Sequence, residues 1–204
     1  MKPVIIIAIA FVLLIPLNVF GEIENDDNQF HVNMILVSLD CSDSIHGNEF
    51  RGLTEIAYRY LASFQFPTEI SGYCVTPGQF DDAWNHQDFT LDEIIVVMFN
   101  LDDGLWNDTS YEMFGYEPPK NLSKTNGTVF FKDKIVLMSY SLKDDLNSVV
   151  LTHEFMHFVL WRDGFSSDVY FNQVHEDWKV YEKEYQQKEK LWSYIADKYY
   201  YVFG

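Results

Sequence analysis

The chain has 204 residues, and 14 lysines and arginines against 31 aspartates and glutamates give it a formal net charge of −17 at pH 7. This excess of acid argues against nucleic-acid binding, which needs a basic surface, and against docking on an anionic membrane surface. Because 48% of the residues are hydrophobic, the composition predicts a folded chain rather than a disordered one, and the length suits one domain.

The N-terminal segment has the pattern of an export signal. Lys2 is followed by an uncharged and largely apolar run that ends at Gly21. This run has the length of a signal-peptide core and is short for a bilayer span of about 20 residues. It predicts a secreted or extracytoplasmic protein, with residues 1–21 as a signal peptide or, if uncleaved, as an N-terminal anchor. An acidic linker is predicted over residues 22–30.

The middle of the chain alternates strand-like and helix-like hydrophobic patterns. The predicted elements are a strand over His31–Leu39, a helix over Glu49–Phe64, a strand over Ile70–Val75, a helical turn around Asp82–Trp84, a central strand over Glu93–Leu101, and a hairpin of Val129–Phe131 with Ile135–Tyr140. This order predicts a single α+β domain over residues 31–204, in which helices pack on a mixed sheet of four or five strands. Aromatic residues of the segment between 102 and 127 either wall a cleft or, as we expect, pack that segment down.

Two features of the chain bear on its processing. Its two cysteines, Cys41 and Cys74, are predicted to form a disulfide in an exported protein, although the sequence also allows two unpaired thiols. Glycosylation sequons begin at Asn107, Asn121 and Asn126, in one polar stretch that is expected to be exposed.

The most informative segment is an apolar helix predicted over residues 142–161. Ser141 and Asp144 could form its N-terminal capping box, and Gly164 lies where a helix C-cap belongs. Inside this helix the stretch His153–His157 has the pattern HExxH, with Glu154 as its second residue.

The HExxH spacing suits metal chemistry. Residues four apart on an α-helix differ by about 40° around the axis, so His153 and His157 point the same way and can hold one zinc ion. Glu154 lies beside that ion, where it can deprotonate a water molecule that the metal activates and pass the proton to a leaving amine. The alternative, two core histidines, would bury three polar side chains at a cost in free energy.

On this motif the chain resembles the zincin metallopeptidases, over the HExxH helix and more loosely over the preceding sheet. The resemblance implies a zinc-dependent endopeptidase acting on a peptide or protein substrate, with His153 and His157 as ligands and Glu154 as catalytic base. In that superfamily an edge strand ahead of the active helix pairs with the substrate backbone, and Ile135–Tyr140 is the strand expected in that role here.

The third ligand is less well determined by the motif. The metzincin extension HExxHxxGxxH or D is rejected, because Leu160 stands at its glycine position and Asp163 would point away from the other ligands. The gluzincin subgroup takes a glutamate from a following helix, and Glu176 has nearly that spacing. The neighbouring His175 is the other candidate.

Helical phase favours the histidine. An apolar stripe over residues 174–199 predicts a long C-terminal helix, on which His175 lies about 90° from the centre of the stripe and Glu176 lies nearly opposite it. The predicted ligands are therefore His153, His157 and His175, with Glu176 as the alternative.

Three hypotheses follow from these patterns. The first is a small exported zinc-dependent peptidase. The second is a catalytically inactive extracytoplasmic zinc-binding or protein-interaction module, which shares the ligands but needs no substrate cleft. The third is a structural domain that binds no metal.

Overall fold

The computed structural model describes residues 30–42, 44–64, 68–86, 94–143 and 147–177. In chain order the elements are β1 (Phe30–Val37), α1 (Ser44–Ser63), β2 (Thr68–Val75), α2 (Pro77–Asn85), β3 (Ile94–Asn100), α3 (Asp108–Glu112), a 3₁₀ turn (Leu122–Lys124), β4 (Gly127–Phe130), β5 (Ile135–Tyr140), α4 (Asn147–Arg162) and a π-helical turn (Asp168–Gln173). The predicted signal segment, most of the acidic linker, Asp144 of the capping box and the C-terminal helix beyond Asp177 lie outside the described residues.

The five strands form one mixed sheet in the order β2-β1-β3-β5-β4. The first four strands in this order run parallel, whereas β4 is antiparallel to β5 and lies at one edge. The predicted hairpin joins β4 to β5 through a turn at Lys132–Lys134. The sheet and its helices confirm the predicted α+β class.

The central strand β3 contributes side chains to two hydrophobic cores, one on each face of the sheet. All seven of its residues are buried. Alternate side chains from Ile94 to Met98 face the core under α1 and α4, while those from Ile95 to Phe99 face a second core under α2 and the segment after β3. A strand covered on both faces needs a continuous apolar run, which explains why this stretch stands out in the sequence.

The segment after β3 is held down by its aromatic side chains. Tyr111 is 1% exposed, and Trp106, Phe114 and Tyr116 pack on the same second core. Trp106 Nε1 also donates a hydrogen bond of 3.0 Å to the carbonyl of Thr125. These aromatic residues therefore pack the segment against the face of the sheet opposite α4.

The expectation that Ile135–Tyr140 is the edge strand is wrong. This segment, β5, lies between β3 and β4, and all six of its residues are buried. A strand with neighbours on both sides and cores on both faces is continuously apolar, as IVLMSY nearly is. The edge position beside α4 belongs to the shorter β4, whose residues are only half-buried.

Local interactions define both ends of α4. At the first described turn, the amide of Ser141 donates to Asn147 Oδ1 at 3.0 Å, and Asn147 Nδ2 donates back to the carbonyl of Ser141 at 2.7 Å. At the other end Gly164 has a φ of +79°, and the amides of Gly164 and Phe165 donate to the carbonyls of Trp161 and Leu160. This is a Schellman motif, so the predicted C-cap at Gly164 is confirmed.

The predicted disulfide between Cys41 and Cys74 is present, with Cα atoms 5.5 Å apart. It joins the loop after β1 to the end of β2, at the opposite edge of the sheet from β4. Such bonds persist in oxidising compartments, so the disulfide indicates an extracellular location. Among the described residues, no helix combines the length and apolarity that crossing a membrane requires.

Replacing both cysteines with serine should lower the free energy of unfolding by about 3–4 kcal/mol, because the bond restricts an unfolded loop between residues 33 apart in sequence. Urea unfolding curves of the two proteins measure the difference. Metal binding by the folded double variant should be unchanged, since the bond lies at the far edge of the sheet. Equal stability of the two proteins would contradict the prediction.

Candidate metal centre

Helix α4 places two histidines side by side. His153 and His157 are one turn apart, so both imidazoles project from the same face of α4 toward β4 and the π-helical turn. Their Nε2 atoms are 3.0 Å apart, and their ring centroids are 4.6 Å apart. Helix geometry places both side chains on one face, and the orientations of the rings bring the two nitrogens this close.

A third histidine joins this pair from the segment after α4. The ring centroid of His175 lies 5.2 Å from that of His153 and 4.7 Å from that of His157. One nitrogen from each ring lies within 4.8 Å of the others, so the three side chains could together hold a metal ion. Imidazole nitrogens are good donors for zinc and other divalent transition metals, and the donor set fits such an ion.

A backbone carbonyl orients His157. Its Nδ1 lies 2.6 Å from the carbonyl oxygen of Tyr170, which can only accept, so Nδ1 carries the proton. In the neutral ring, Nε2 then presents its lone pair to the other two histidines. This is the arrangement by which proteins commonly fix the tautomer of a metal-binding histidine. The sequence holds no signal for it, because the acceptor is a main-chain atom.

Burial keeps these imidazoles neutral. The pKa of His157 is lowered to about 4, chiefly because burial disfavours the charged ring, although its bond to Tyr170 acts in the opposite direction. Burial also holds the pKa of His153 well below its usual range, and the neighbouring rings of His157 and His175 add to the effect. Neutral imidazole is the form that binds metals, so the site is ready to bind without first losing protons from these two rings.

Glu154 is buried between α4 and the edge strand. Its side chain is 5% exposed, and burial raises the pKa of its carboxyl to about 8. A Cβ atom placed on Gly127 of β4 would lie 2.5 Å from Glu154 Oε1 and 2.8 Å from its Cδ. Strand and carboxyl group can approach this closely only because residue 127 is glycine.

The three histidines and Glu154 line a cleft of about 450 Å³ between α4 and β4. Its other walls come from the edge strand with the segments on either side of it, the start of α4 and the π-helical turn, namely Lys124, Thr125, Asn126, Gly127, Thr128, Val129, Phe131, Val149, Val150 and Phe171. The candidate metal site thus opens into a space bounded on one side by a strand edge.

Glu176, Asp177 and Asp163 are not among the residues of this cluster. Glu176, the alternative third ligand, is exposed and is not among the residues that converge. Asp177 is buried and accepts a hydrogen bond from Gln173 Nε2 at 3.0 Å. Asp163 is exposed at the end of α4.

Comparison of the chain with models of known protein families, with curated proteins and with solved structures finds no match.

Replacing His175 with alanine should weaken binding of a divalent metal much more than replacing the neighbouring Glu176. His175→Ala deletes one of three converging nitrogens, and we expect a loss in affinity of roughly 100-fold or more. Glu176→Ala changes an exposed side chain on the same turn and should leave the affinity within about twofold. Competition with a chromophoric chelator for Zn²⁺ measures both. A larger loss in Glu176→Ala than in His175→Ala would refute the proposed ligand set.

Glu154→Gln should stabilise the metal-free protein increasingly as pH rises. The folded carboxyl, with a pKa near 8, keeps a proton that an unfolded carboxyl with a pKa of 4.5 releases. As the pH increases from 4.5 to about 8, the free energy of unfolding of the wild type therefore decreases. The variant has no carboxyl group at this position and lacks this decrease. The difference in free energy of unfolding should grow by on the order of 3 kcal/mol from pH 5 to pH 8.

Urea unfolding of chelator-treated protein at several pH values measures this difference. Titration of the histidines is common to both proteins and largely cancels in the comparison. A difference that does not change with pH would show that Glu154 ionises normally in the folded state.

Proposed function

We propose that the protein is an exported zinc-dependent peptidase that hydrolyses peptide bonds with Glu154 as general base. The observation that carries the proposal is the position of Glu154, next to three converging histidines and at the wall of a cleft formed by an edge strand. Three protein ligands that leave a position open are typical of catalytic zinc, whereas structural zinc usually has four. The disulfide and the apolar N-terminal segment support export.

The donor set fits zinc, with His153, His157 and His175 as its ligands. When bound there, zinc would supply the chemistry of polarising a substrate carbonyl and lowering the pKa of water. Glu154 takes a proton from the attacking water and transfers it to the leaving amine. Its raised pKa suits the second of these steps, and the positive charge of a bound cation favours the carboxylate that the first step needs.

The edge strand supplies a means of holding the substrate. Within the described residues β4 pairs on one side only, with β5. A peptide lying in the cleft can therefore extend the sheet along the other side of β4, which would bring its backbone past Gly127 and Glu154. The role that was expected of β5 thus passes to β4.

A catalytically inactive zinc-binding or protein-interaction module is the second candidate. One observation bears on it: the described residues that line the cleft include neither a tyrosine nor an arginine, so a side-chain donor to an oxyanion would have to come from groups such as Lys124 or Asn126. Metal content together with proteolysis of an unfolded protein such as casein, with and without chelator, separates the two. Zinc without hydrolysis would support the module, and absence of zinc would support a metal-free structural domain.

Glu154→Ala should abolish peptide hydrolysis, with a loss in kcat of at least about 100-fold, because the general base is removed. The zinc content of the variant should stay near one ion per chain. The measurement is cleavage of a quenched fluorescent peptide together with metal analysis of the same sample. Retained activity in a zinc-loaded variant would refute the mechanism.

Gly127→Ala tests the same carboxyl group without changing it. The added methyl would displace the Glu154 side chain, and a displacement of about 1 Å can cost roughly 100-fold in rate. Gly78→Ala is the matched control, because a Cβ on that exposed glycine meets nothing within 4 Å. The control should retain full activity.

A further inference from the structure

An exposed aromatic side chain stands in the candidate site. Phe171 is 51% exposed, a large fraction for an apolar ring. Other large apolar side chains are exposed elsewhere on the described surface, but Phe171 is the one among them that lines the cleft with the three histidines. An apolar ring facing a cleft marks a place where a ligand can gain contact area.

Phe171 lies directly against two of the histidines. Its ring centroid is 5.0 Å from that of His175, with the planes at 89°, and 5.8 Å from that of His157. Any group bound at the three converging nitrogens is therefore close to the exposed part of this ring.

Phe171 lies in the π-helical turn, directly after Tyr170. Tyr170 directs its carbonyl to His157 and its ring to Phe131, at a centroid distance of 5.1 Å. The next residue, Phe171, projects over the imidazoles instead. Wide helical turns of this kind recur at functional sites.

The charge of the cleft differs from that of the whole chain. The chain carries a net charge of −17, yet among the described residues that line the cleft Glu154 is the one carboxylic acid, and it is buried. Lys124 is exposed there, and Val149, Val150, Val129 and Phe131 contribute apolar surface. The cleft therefore offers a basic substrate side chain no exposed acidic partner from these residues, while it offers an apolar one several contacts.

We propose that Phe171 is a specificity-determining residue, which contacts an aromatic or branched aliphatic side chain next to the scissile peptide bond. This inference rests on the proposed peptidase function, because it assigns the substrate class of the same site. An apolar side chain against the ring removes surface of both partners from water, and aromatic pairs gain further from their geometry.

The test uses ligands that bind the metal without being cleaved. N-acetylated hydroxamates of glycine, phenylalanine, leucine and lysine share one zinc-binding group and differ only in the side chain. The zinc-loaded full chain should bind the phenylalanine and leucine compounds roughly three- to tenfold more tightly than the glycine compound, and should gain no affinity from lysine.

Phe171→Ala should bring the phenylalanine and leucine affinities to within about twofold of the variant's own affinity for the glycine compound. Phe171→Leu should retain part of the preference. Tyr58→Ala is the control, because it removes an aromatic side chain of similar exposure, 52%, on α1. It should leave all four hydroxamate affinities unchanged. If Phe171 served only to shield the metal, Phe171→Ala would shift all four affinities together, which would overturn the proposal.

The outcomes also separate this inference from the proposed function. The protein could show a side-chain preference that depends on Phe171 and yet cleave no peptide. That result would overturn the proposed peptidase function but support the role of Phe171 in binding. Hydrolysis without that dependence would overturn only the role of Phe171. A chain that binds no zinc would overturn both.

Discussion

The close approach of the edge strand β4 to helix α4 is the constraint on which the rest of the site depends. Gly127 lies so near Glu154 that any side chain there would collide with the carboxyl group. The same approach forms the cleft and buries one side of the HExxH helix, so that His157 and Glu154 are almost inaccessible. A change in the distance between strand and helix would therefore alter the position and the ionisation of these groups together.

Burial determines the protonation states of the ionisable groups in this cluster. It lowers the pKa values of His153 and His157 and raises that of Glu154, so each of these groups is driven to its neutral form. A chain of net charge −17 can thus bury two imidazoles and a carboxyl group without burying a net charge there. A divalent cation would reverse this balance, since neutral imidazoles bind it and a nearby carboxylate is then favoured.

Much of the fold could be predicted because its signals are local. The apolar runs of β1, β3 and β5, the periodicity of α1 and the glycine after α4 each reflect the geometry of a few consecutive residues. The order of the strands could not be read this way. β5 is almost continuously apolar because both of its faces are covered by a core, while the edge strand β4 has only four residues and a weak pattern.

The sequence by itself determined the pairing of His153 with His157 and the place of Glu154 beside them, because helix geometry relates residues four apart wherever the helix lies. It also indicated the disulfide, since two cysteines in a chain that is predicted to be exported have each other as natural partners. Helical phase favoured His175 over Glu176 as the third ligand, but only the tertiary structure brings its ring beside the pair. Only the tertiary structure decided that Tyr170 orients His157 and that Gly127 and Phe171 face the cleft. These are contacts between segments remote in sequence or with main-chain atoms, so they depend on the path of the chain and leave no local pattern to read.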